Sequence, residues 1–363
     1  MTSDTGAIAA ISGAHRYNTS AAAAVTAALA AGCDINSGAQ YSHNIEAAVK
    51  SGMLNESLVD AALINAFAVR MRLGLFDPPE DQPKYPPEVV NSLAHKELSL
   101  DASRQAMTLI SNRPIAEPST TALAGEPRPV RSQSELEVGS GGVLPLKKGS
   151  KVAVIGPNSD TKALMVGGTG AVLDSALIVC KGATDHNDWR CVDSPYDAIA
   201  AINGPGRTTV SSGASIHPER EGNATLSQMM QQAVAAAAKA DVVVFVIGDD
   251  WDTEHETHDR SSIELPGNQN ELVVKVAAAV GPNVPLVSVL VHGSSLDIST
   301  ILNYSHAVVD TFYPGIYGAR ALAETLFGLT TPGGKLPWTC VLKASYCCVI
   351  CSSIACPLAD PRP

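Results

Sequence analysis

An acidic cluster lies directly after a continuous Val/Ile run, and it is the part of the sequence best equipped for chemistry. Residues 248–260 read GDDWDTEHETHDR and hold six carboxylates in thirteen residues. Carboxylates packed this closely repel one another, so some of them must pair with cations or keep a proton above their usual pKa. Arg260 can pair with one of them. The cluster is therefore a candidate for a functional site or, in the simpler interpretation, a loop of solvated surface charges.

A metal site is a further interpretation, and the spacing disfavours it. His255 and His258 enclose Glu256 in the order H-E-x-H, whereas zinc proteases use H-E-x-x-H on one helix face. The glycine-rich segment 166–171 lacks the G-x-G-x-x-G spacing of a dinucleotide site. Five cysteines crowd residues 340–356 without a histidine among them or the separated C-x2-C pairs of a zinc site. We therefore expect neither a metal nor a cofactor.

The composition is that of a globular protein that binds no polyanion. The chain has 363 residues, of which 45% are hydrophobic and 17% charged, with a net charge of −11. This charge argues against nucleic acid and against anionic membrane surfaces, since both require basic patches. No run of 18 apolar residues occurs, so we expect no membrane span. The first ten residues, MTSDTGAIAA, lack the pattern of a signal peptide, although four N-x-S/T sequons suit a secreted protein.

Two kinds of element must position the acidic cluster. Helices are predicted over 21–31, 55–73 and 95–111, from helix-forming composition and apolar spacing. From residue 151 onward, buried strands are predicted at 151–158, 240–250, 284–293 and 306–315, with helices between them. Continuous Val/Ile runs that alternate with helices indicate a parallel sheet covered on both faces. Ligands of such an open α/β sandwich tend to bind at the carboxyl ends of the strands, where the cluster lies.

Several short segments resemble glycoside hydrolase family 3, in its β-xylosidase branch. Residues 1–4 (MTSD) resemble the strand that carries the nucleophile, and 254–260 with 265–269 (LPGNQ) resemble the acid/base loop. The remaining similar segments are HRYNT at 15–19, AGCDINSG at 31–38, RLGLFD at 72–77, VLPL at 143–146, VAVIGP at 152–157, YPG at 313–315, LFG at 326–328 and PGGKLP at 332–337. Their order over about residues 1–339 carries the resemblance.

The resemblance implies a retaining glycosidase that uses two carboxylates. Asp4 matches the catalytic nucleophile, and Glu256 matches the general acid/base because it holds the E-x-x-D-R position; Glu254 is the close alternative. Taken alone, Asp4 is uninformative, because a Ser-Asp pair near a terminus is more often part of a turn or a helix cap. The implied substrates are terminal non-reducing β-D-xylosyl residues of xylo-oligosaccharides. The alternatives are β-glucosidase or α-L-arabinofuranosidase activity, and a non-catalytic carbohydrate-binding protein.

The resemblance also implies a domain organisation. Residues 1–80 match the C-terminal remnant of a (β/α)8 barrel, and 151–339 match an α/β sandwich domain with a mainly parallel sheet. Between them, 81–150 is expected to be a linker with a disordered insertion, and 340–363 an unstructured Cys-rich tail. Two βα units do not close a barrel, so we expect residues 1–77 to expose apolar faces and the activity of the chain to be impaired. The full-length parent is expected to be secreted.

Overall fold

The computed structural model describes most of the chain, in two units. The described residues are 1–89, 92–115, 141–166, 180, 182–185, 187–255, 258, 260–281 and 283–337. Unit 1 comprises Met1–Val90 and unit 2 comprises Asn91–Pro363. Several expectations fall on residues outside the described ranges, namely those for Glu256, the insertion at 116–140, most of the glycine-rich segment and the tail.

The described residues of unit 1 form four α-helices, a short 3-10 helix (Pro87–Val89) and one short parallel bridge. The helices are α1 (Ala7–Ser12), α2 (Ala21–Ala30), α3 (Gln40–Lys50) and α4 (Glu56–Arg72). The Ser20 side chain caps α2, and the Asn55 side chain caps α4 by accepting a hydrogen bond from the Ser57 amide at 3.0 Å. Thr2 and Ile35 form the parallel bridge. The helices predicted over 21–31 and 55–73 are therefore confirmed.

Helix α4 leaves most of its apolar side chains exposed. Only Ala62 of this helix is buried. Ile64 is 68% exposed and Met71 66% exposed, and Phe67 and Phe76 are also exposed and stack on each other. The small core of unit 1 is built instead around Ile8, Val25, Leu29, Ala48 and Leu54. The expectation that residues 1–77 expose apolar faces is confirmed.

Unit 2 is built on a six-stranded, mainly parallel sheet. Its strands are β1 (Thr108–Asn112), β2 (Val152–Ile155), β3 (Thr208–Ser211), β4 (Val242–Gly248), β5 (Leu286–Val291) and β6 (Ala307–Asp310). The order across the sheet is β1-β6-β5-β4-β2-β3, and only β1 runs antiparallel. The four strands predicted from Val/Ile runs are confirmed, whereas β1 and β3 were not predicted.

Helices cover both faces of this sheet. One face packs against α5 (Leu93–Ala106), α6 (Ala163–Val166), α7 (Pro195–Asn203) and α11 (Gly318–Leu326). The other packs against α8 (Asn223–Ala237), α9 (Gln269–Ala279) and α10 (Ser299–Tyr304). Successive residues of β4 alternate between the two cores, which is why its sequence is apolar throughout. No helix in the described part of the chain is long and apolar enough to cross a bilayer.

The helix predicted over 95–111 is wrong in its last part. Helix α5 ends at Ala106, Met107 is fully buried, and β1 begins at Thr108. The backbone of β1 pairs with β6, so tertiary pairing outweighs the helical pattern of the sequence. Because α5 and β1 lie within the range 81–150, part of the expected linker belongs to the sandwich of unit 2.

A disulfide joins two cysteines that lie outside the cysteine-rich segment 340–356. Cys180 and Cys191 are bonded over a separation of eleven residues, and Cys180 is buried. No pairing of these cysteines was predicted.

Candidate active site

The carboxyl ends of three neighbouring strands bring a set of ionisable side chains together. Asp249 follows β4, His292 follows β5, and Asp310 ends β6, with Tyr313 three residues further along. Because β4, β5 and β6 are parallel neighbours, these strand ends meet at one edge of the sheet. All four residues lie in unit 2, and the acidic cluster begins among them.

Gly248, the last residue of β4, is fixed by hydrogen bonds with Gln269 and by close packing against β5. The Gly248 amide donates to Oε1 of Gln269 at 2.9 Å, and Nε2 of Gln269 donates to the Gly248 carbonyl at 2.7 Å. Gln269 is fully buried at the start of α9. Gly248 has φ 153, and a Cβ there would lie 1.8 Å from the Val291 carbonyl oxygen, so only glycine fits against β5. These contacts set the direction in which the acidic cluster leaves the sheet.

Asp249 is buried and binds Tyr313. The Tyr313 hydroxyl donates to Oδ1 of Asp249 at 2.7 Å, while Oδ2 has no hydrogen-bond partner among the described residues. Asp249 is 1% exposed, and this burial raises the pKa of its carboxyl above the usual value, although the Tyr313 hydrogen bond opposes the rise. Burial and the nearby Asp249 charge likewise raise the pKa of Tyr313. Asp249 is therefore placed to retain its proton more readily than an exposed carboxyl group would.

His292 and Asp310 form a second buried pair. His292 Nε2 lies 3.1 Å from Oδ1 and 3.2 Å from Oδ2 of Asp310, and His292 Nδ1 contacts the Ser294 carbonyl. Burial lowers the pKa of His292, but the hydrogen bond and charge of Asp310 outweigh it and the net shift is upward. The pair therefore favours a charged imidazole at the end of β5.

Glu254, the alternative acid/base, is engaged in an ion pair. Arg260 Nε donates to Oε2 of Glu254 at 2.7 Å, and the Ser294 hydroxyl donates to the same oxygen at 2.6 Å. Arg260 also contacts the Ser294 hydroxyl and donates to the Ser295 carbonyl at 2.7 Å. Arg260 therefore connects the acidic cluster to the loop that follows β5.

The first residues of the cluster are paired with groups from elsewhere. Asp250 accepts from His217 Nε2 at 2.9 Å and from the Thr253 amide and hydroxyl at 3.0 and 2.8 Å. Asp252 pairs with Arg220, and both side chains are more than half exposed. The interpretation as a loop of solvated charges therefore fits Asp252, but it does not fit buried Asp249.

Asp4 lies in unit 1, directly after the Thr2–Ile35 bridge. Its side chain is exposed, and its Oδ1 accepts a hydrogen bond from the Thr5 amide at 2.7 Å. The neighbouring Ser3 hydroxyl accepts from the Ser37 amide at 2.9 Å, which joins this turn to the one after Ile35. An exposed carboxylate at the end of a short parallel strand is open to a ligand.

Sequence reasoning missed three residues of the unit 2 site. His292, Asp310 and Tyr313 were not predicted as site residues, although each stands at or just after the end of a buried strand. The rule that ligands bind at the carboxyl ends of parallel strands applies to them as it does to the cluster. Within the described residues, no group of three or more His, Cys, Asp or Glu side chains is placed to hold a metal ion.

A mainly parallel sheet covered by helices on both faces defines an open α/β sandwich, and such sheets bind ligands at the carboxyl ends of their strands. A family model, the glycosyl hydrolase family 3 C-terminal domain, matches residues 139–349. The chain belongs to glycoside hydrolase family 3, and its sheet corresponds to the α/β sandwich of that domain.

The similar proteins are glycosidases. The chain is 34% identical to probable β-D-xylosidase 7 of Arabidopsis thaliana, over 93% of this chain and 38% of that protein. It is 29% identical to the periplasmic β-glucosidase of Salmonella typhimurium, over 86% of this chain and 38% of that protein. A solved structure of the exo-β-xylosidase XlnD, bound to a xylobiose aziridine probe, shares the fold with TM-score 0.67 and 24% identity, over 92% of this chain and 37% of that one. The chain thus spans little over a third of the relatives that it matches.

Proposed function

We propose that this chain takes part in retaining hydrolysis of terminal non-reducing β-D-xylosyl residues from xylo-oligosaccharides. The observation that carries the proposal is the 34% identity to a probable β-D-xylosidase over 93% of this chain. The two carboxylates that such chemistry needs are available in Asp4 and in the cluster after β4.

Asp4 is the proposed nucleophile. In a retaining mechanism an ionised carboxylate attacks the anomeric carbon while a second carboxyl group donates a proton to the leaving oxygen. The second group then takes a proton from water, which attacks the glycosyl–enzyme ester and releases the sugar with its configuration retained. The two carboxyl groups work at about 5–5.5 Å from each other. The exposure of Asp4 at a strand end supports this role.

Glu256 is the proposed general acid/base. The support comes from Glu254, whose Oε2 already accepts hydrogen bonds from Arg260 and Ser294. A general acid needs a carboxyl group that is free to meet the leaving oxygen. We therefore assign Glu254 to holding the loop and Glu256 to proton transfer.

The domain organisation is part of the proposal. We infer that residues 1–80 belong to a (β/α)8 barrel, because Thr2 and Ile35 pair in parallel and a helix follows each of them. We infer that residues 151–339 together with α5 and β1 form the sandwich domain. We expect the chain alone to have low activity, since the exposed apolar side chains of α4 favour aggregation. The disulfide and the sequons support a secreted protein.

Covalent labelling tests the proposal even where turnover is slow. A xylose-configured aziridine reagent should attach to the peptide that contains Asp4, as detected by mass spectrometry. Asp4→Asn should abolish the labelling, and Glu256→Gln should slow it more than Glu254→Gln. Labelling on any other peptide, or labelling that survives Asp4→Asn, would contradict the assignment.

Glucosidase activity is the second candidate, because the Salmonella relative is named a β-glucosidase. Rates on aryl β-xyloside and aryl β-glucoside separate the two, and aryl α-L-arabinofuranoside tests the remaining activity of the family. A chain that binds xylobiose in calorimetry without labelling or turnover on any of the three glycosides would instead be a carbohydrate-binding protein.

A further inference from the structure

A cavity of unit 2 lies at the point where the sheet changes its winding direction. Strand β2 is flanked by β3 on one side and β4 on the other. The connection after β2 runs over the face covered by α6 and α7, and the connection after β4 runs over the face covered by α9. The two connections diverge, which opens a crevice outside the carboxyl ends of β2 and β4. Open α/β sheets bind ligands in such crevices.

The cavity has the size of a small-molecule site. Its volume is about 410 Å³, and its walls come from the segments after β2, β3 and β4 together with α6 and α8. Ligand pockets commonly measure about 300–1,000 Å³. Leu164 and Ile216 supply apolar wall, and Trp251 lines the cavity while also packing against the core of the sheet. An aromatic ring of this kind offers a flat surface to the C–H face of a ligand.

Two carboxylates among the polar groups of the cavity can accept hydrogen bonds from a ligand. Asp250 and Asp252 both line it, with His217 beside Asp250. Oδ1 of Asp250 accepts from His217 and twice from Thr253, whereas Oδ2 accepts only from His217, at 3.0 Å, so Oδ2 retains capacity. The Asp250 side chain is 30% exposed and is therefore accessible to a ligand hydroxyl.

The charge in the cavity selects against nucleotides. Nucleotide sites at this position of an α/β sheet cradle phosphate with backbone amides and cations. Here a phosphate would instead meet the carboxylate of Asp250, while the charge of Asp252 is paired with Arg220. A neutral ligand rich in hydroxyl groups avoids this repulsion and can donate a hydrogen bond to Oδ2 of Asp250. Apolar wall, one indole and carboxylate acceptors together suit a sugar ring.

We propose that this cavity binds a neutral pyranose, with Trp251 against its C–H face and Asp250 accepting from its hydroxyls. The choice of xylose as the first ligand rests on the proposed function. The binding itself needs neither Asp4 nor Glu256, because every wall of the cavity belongs to unit 2.

Equilibrium binding of D-xylose to the full chain tests the proposal. D-Xylose has no glycosidic bond, so saturation-transfer NMR measures its binding without turnover. We expect saturable binding with a Kd on the order of 1–10 mM. Ala163→Trp adds an indole at an exposed position that lines the cavity and should raise Kd at least about tenfold. Trp251→Ala should weaken binding similarly, with Trp251→Phe restoring most of it.

The matched control is Ala224→Trp, which adds the same side chain to an exposed position in the first turn of α8, outside the cavity. It should leave Kd unchanged. Absence of saturable xylose binding, equal binding by the two tryptophan variants, or competition by AMP would each overturn the inference. The two proposals can fail separately. If Asp4 is not labelled but xylose still binds, and Ala163→Trp still weakens that binding, only the proposed hydrolysis is contradicted.

Discussion

The Tyr313 hydroxyl donates a 2.7 Å hydrogen bond to Oδ1 of Asp249, although 64 positions separate the two residues. Their strands, β6 and β4, lie on either side of β5, so the bond spans the end of the strand between them. Gly293, just after β5, makes room for it, because a Cβ there would lie 2.9 Å from Cε2 of Tyr313. The bond thus joins the loops that follow β4 and β6.

Tyr313→Phe should destabilise the protein. It removes the hydroxyl that satisfies Asp249 and leaves a buried carboxyl group without that donor. The expected loss is about 1–3 kcal/mol in the free energy of unfolding, measured with urea. Tyr17→Phe is the control, since Tyr17 is 78% exposed, and it should change stability by less than about 0.5 kcal/mol. Equal effects of the two variants would contradict the buried bond.

Asp249→Asn should change how stability depends on pH. The pKa of Asp249 is raised above 3.8, so above pH 3.8 the folded state holds the proton that the unfolded state releases. Asp249 therefore makes the protein less stable as pH rises through this window, and asparagine removes that dependence. In urea unfolding between pH 4 and pH 8, the unfolding free energy of the variant relative to that of the parent should increase as pH rises. A constant difference between the two proteins would contradict the raised pKa.

Asp310→Asn should lower the pKa of His292. The charged pair stabilises the folded protein fully below pH 6.5, and this contribution is lost as pH rises through the raised pKa of His292. At pH 6 the unfolding free energy of the variant should be about 3 kcal/mol lower, because the substitution leaves a buried imidazole without its carboxylate. NMR titration of the histidine ring protons checks the pKa. An unchanged His292 titration would refute the pairing.

Gly248→Ala should disrupt the end of β4. The added Cβ would lie 1.8 Å from the Val291 carbonyl oxygen, at a φ of 153 that favours glycine. We expect a loss of about 3 kcal/mol in stability, measured by thermal unfolding. Gly281→Ala is the control, because a Cβ at position 281 meets nothing within 4 Å. Similar melting temperatures for both variants would show that β4 and β5 are not in close contact here.

Glu324→Gln should loosen the attachment of α5 to α11. Arg104 donates to both carboxylate oxygens of Glu324, at 2.6 and 3.0 Å, and the Glu324 side chain is 8% exposed. The Arg104 hydrogen bonds lower the pKa of Glu324 below 4.5, so the stabilisation is present above pH 4.5 and is lost as pH falls through the lowered pKa.

At pH 7 the unfolding free energy of the Glu324→Gln variant should be about 2 kcal/mol lower than that of the parent. Its unfolding free energy should also depend less on pH in the acid range. Glu271→Gln is the matched control, because Glu271 and its partner Lys275 are both about half exposed. This control should change the unfolding free energy by less than about 0.5 kcal/mol.

The six strands of unit 2 show how much of the sheet the local sequence pattern predicts. The Val/Ile runs of β2, β4, β5 and β6 predict a covered parallel sheet because both faces of each strand must be apolar. The same pattern fails for β1, whose segment has helical spacing, and for β3, where two of four residues are exposed. Edge strands bury less surface and therefore carry a weaker signal.

Sequence alone determined the family, the parallel sheet and the position of the acidic cluster after β4, because these depend on residues adjacent in the chain. Tertiary structure decided the partners of the cluster: Tyr313 for Asp249, His217 for Asp250, and Arg260 with Ser294 for Glu254. Most of these partners come from strand ends that are distant in sequence and meet only when the sheet forms. Burial, which distinguishes Asp249 from exposed Asp252, likewise exists only in the folded chain.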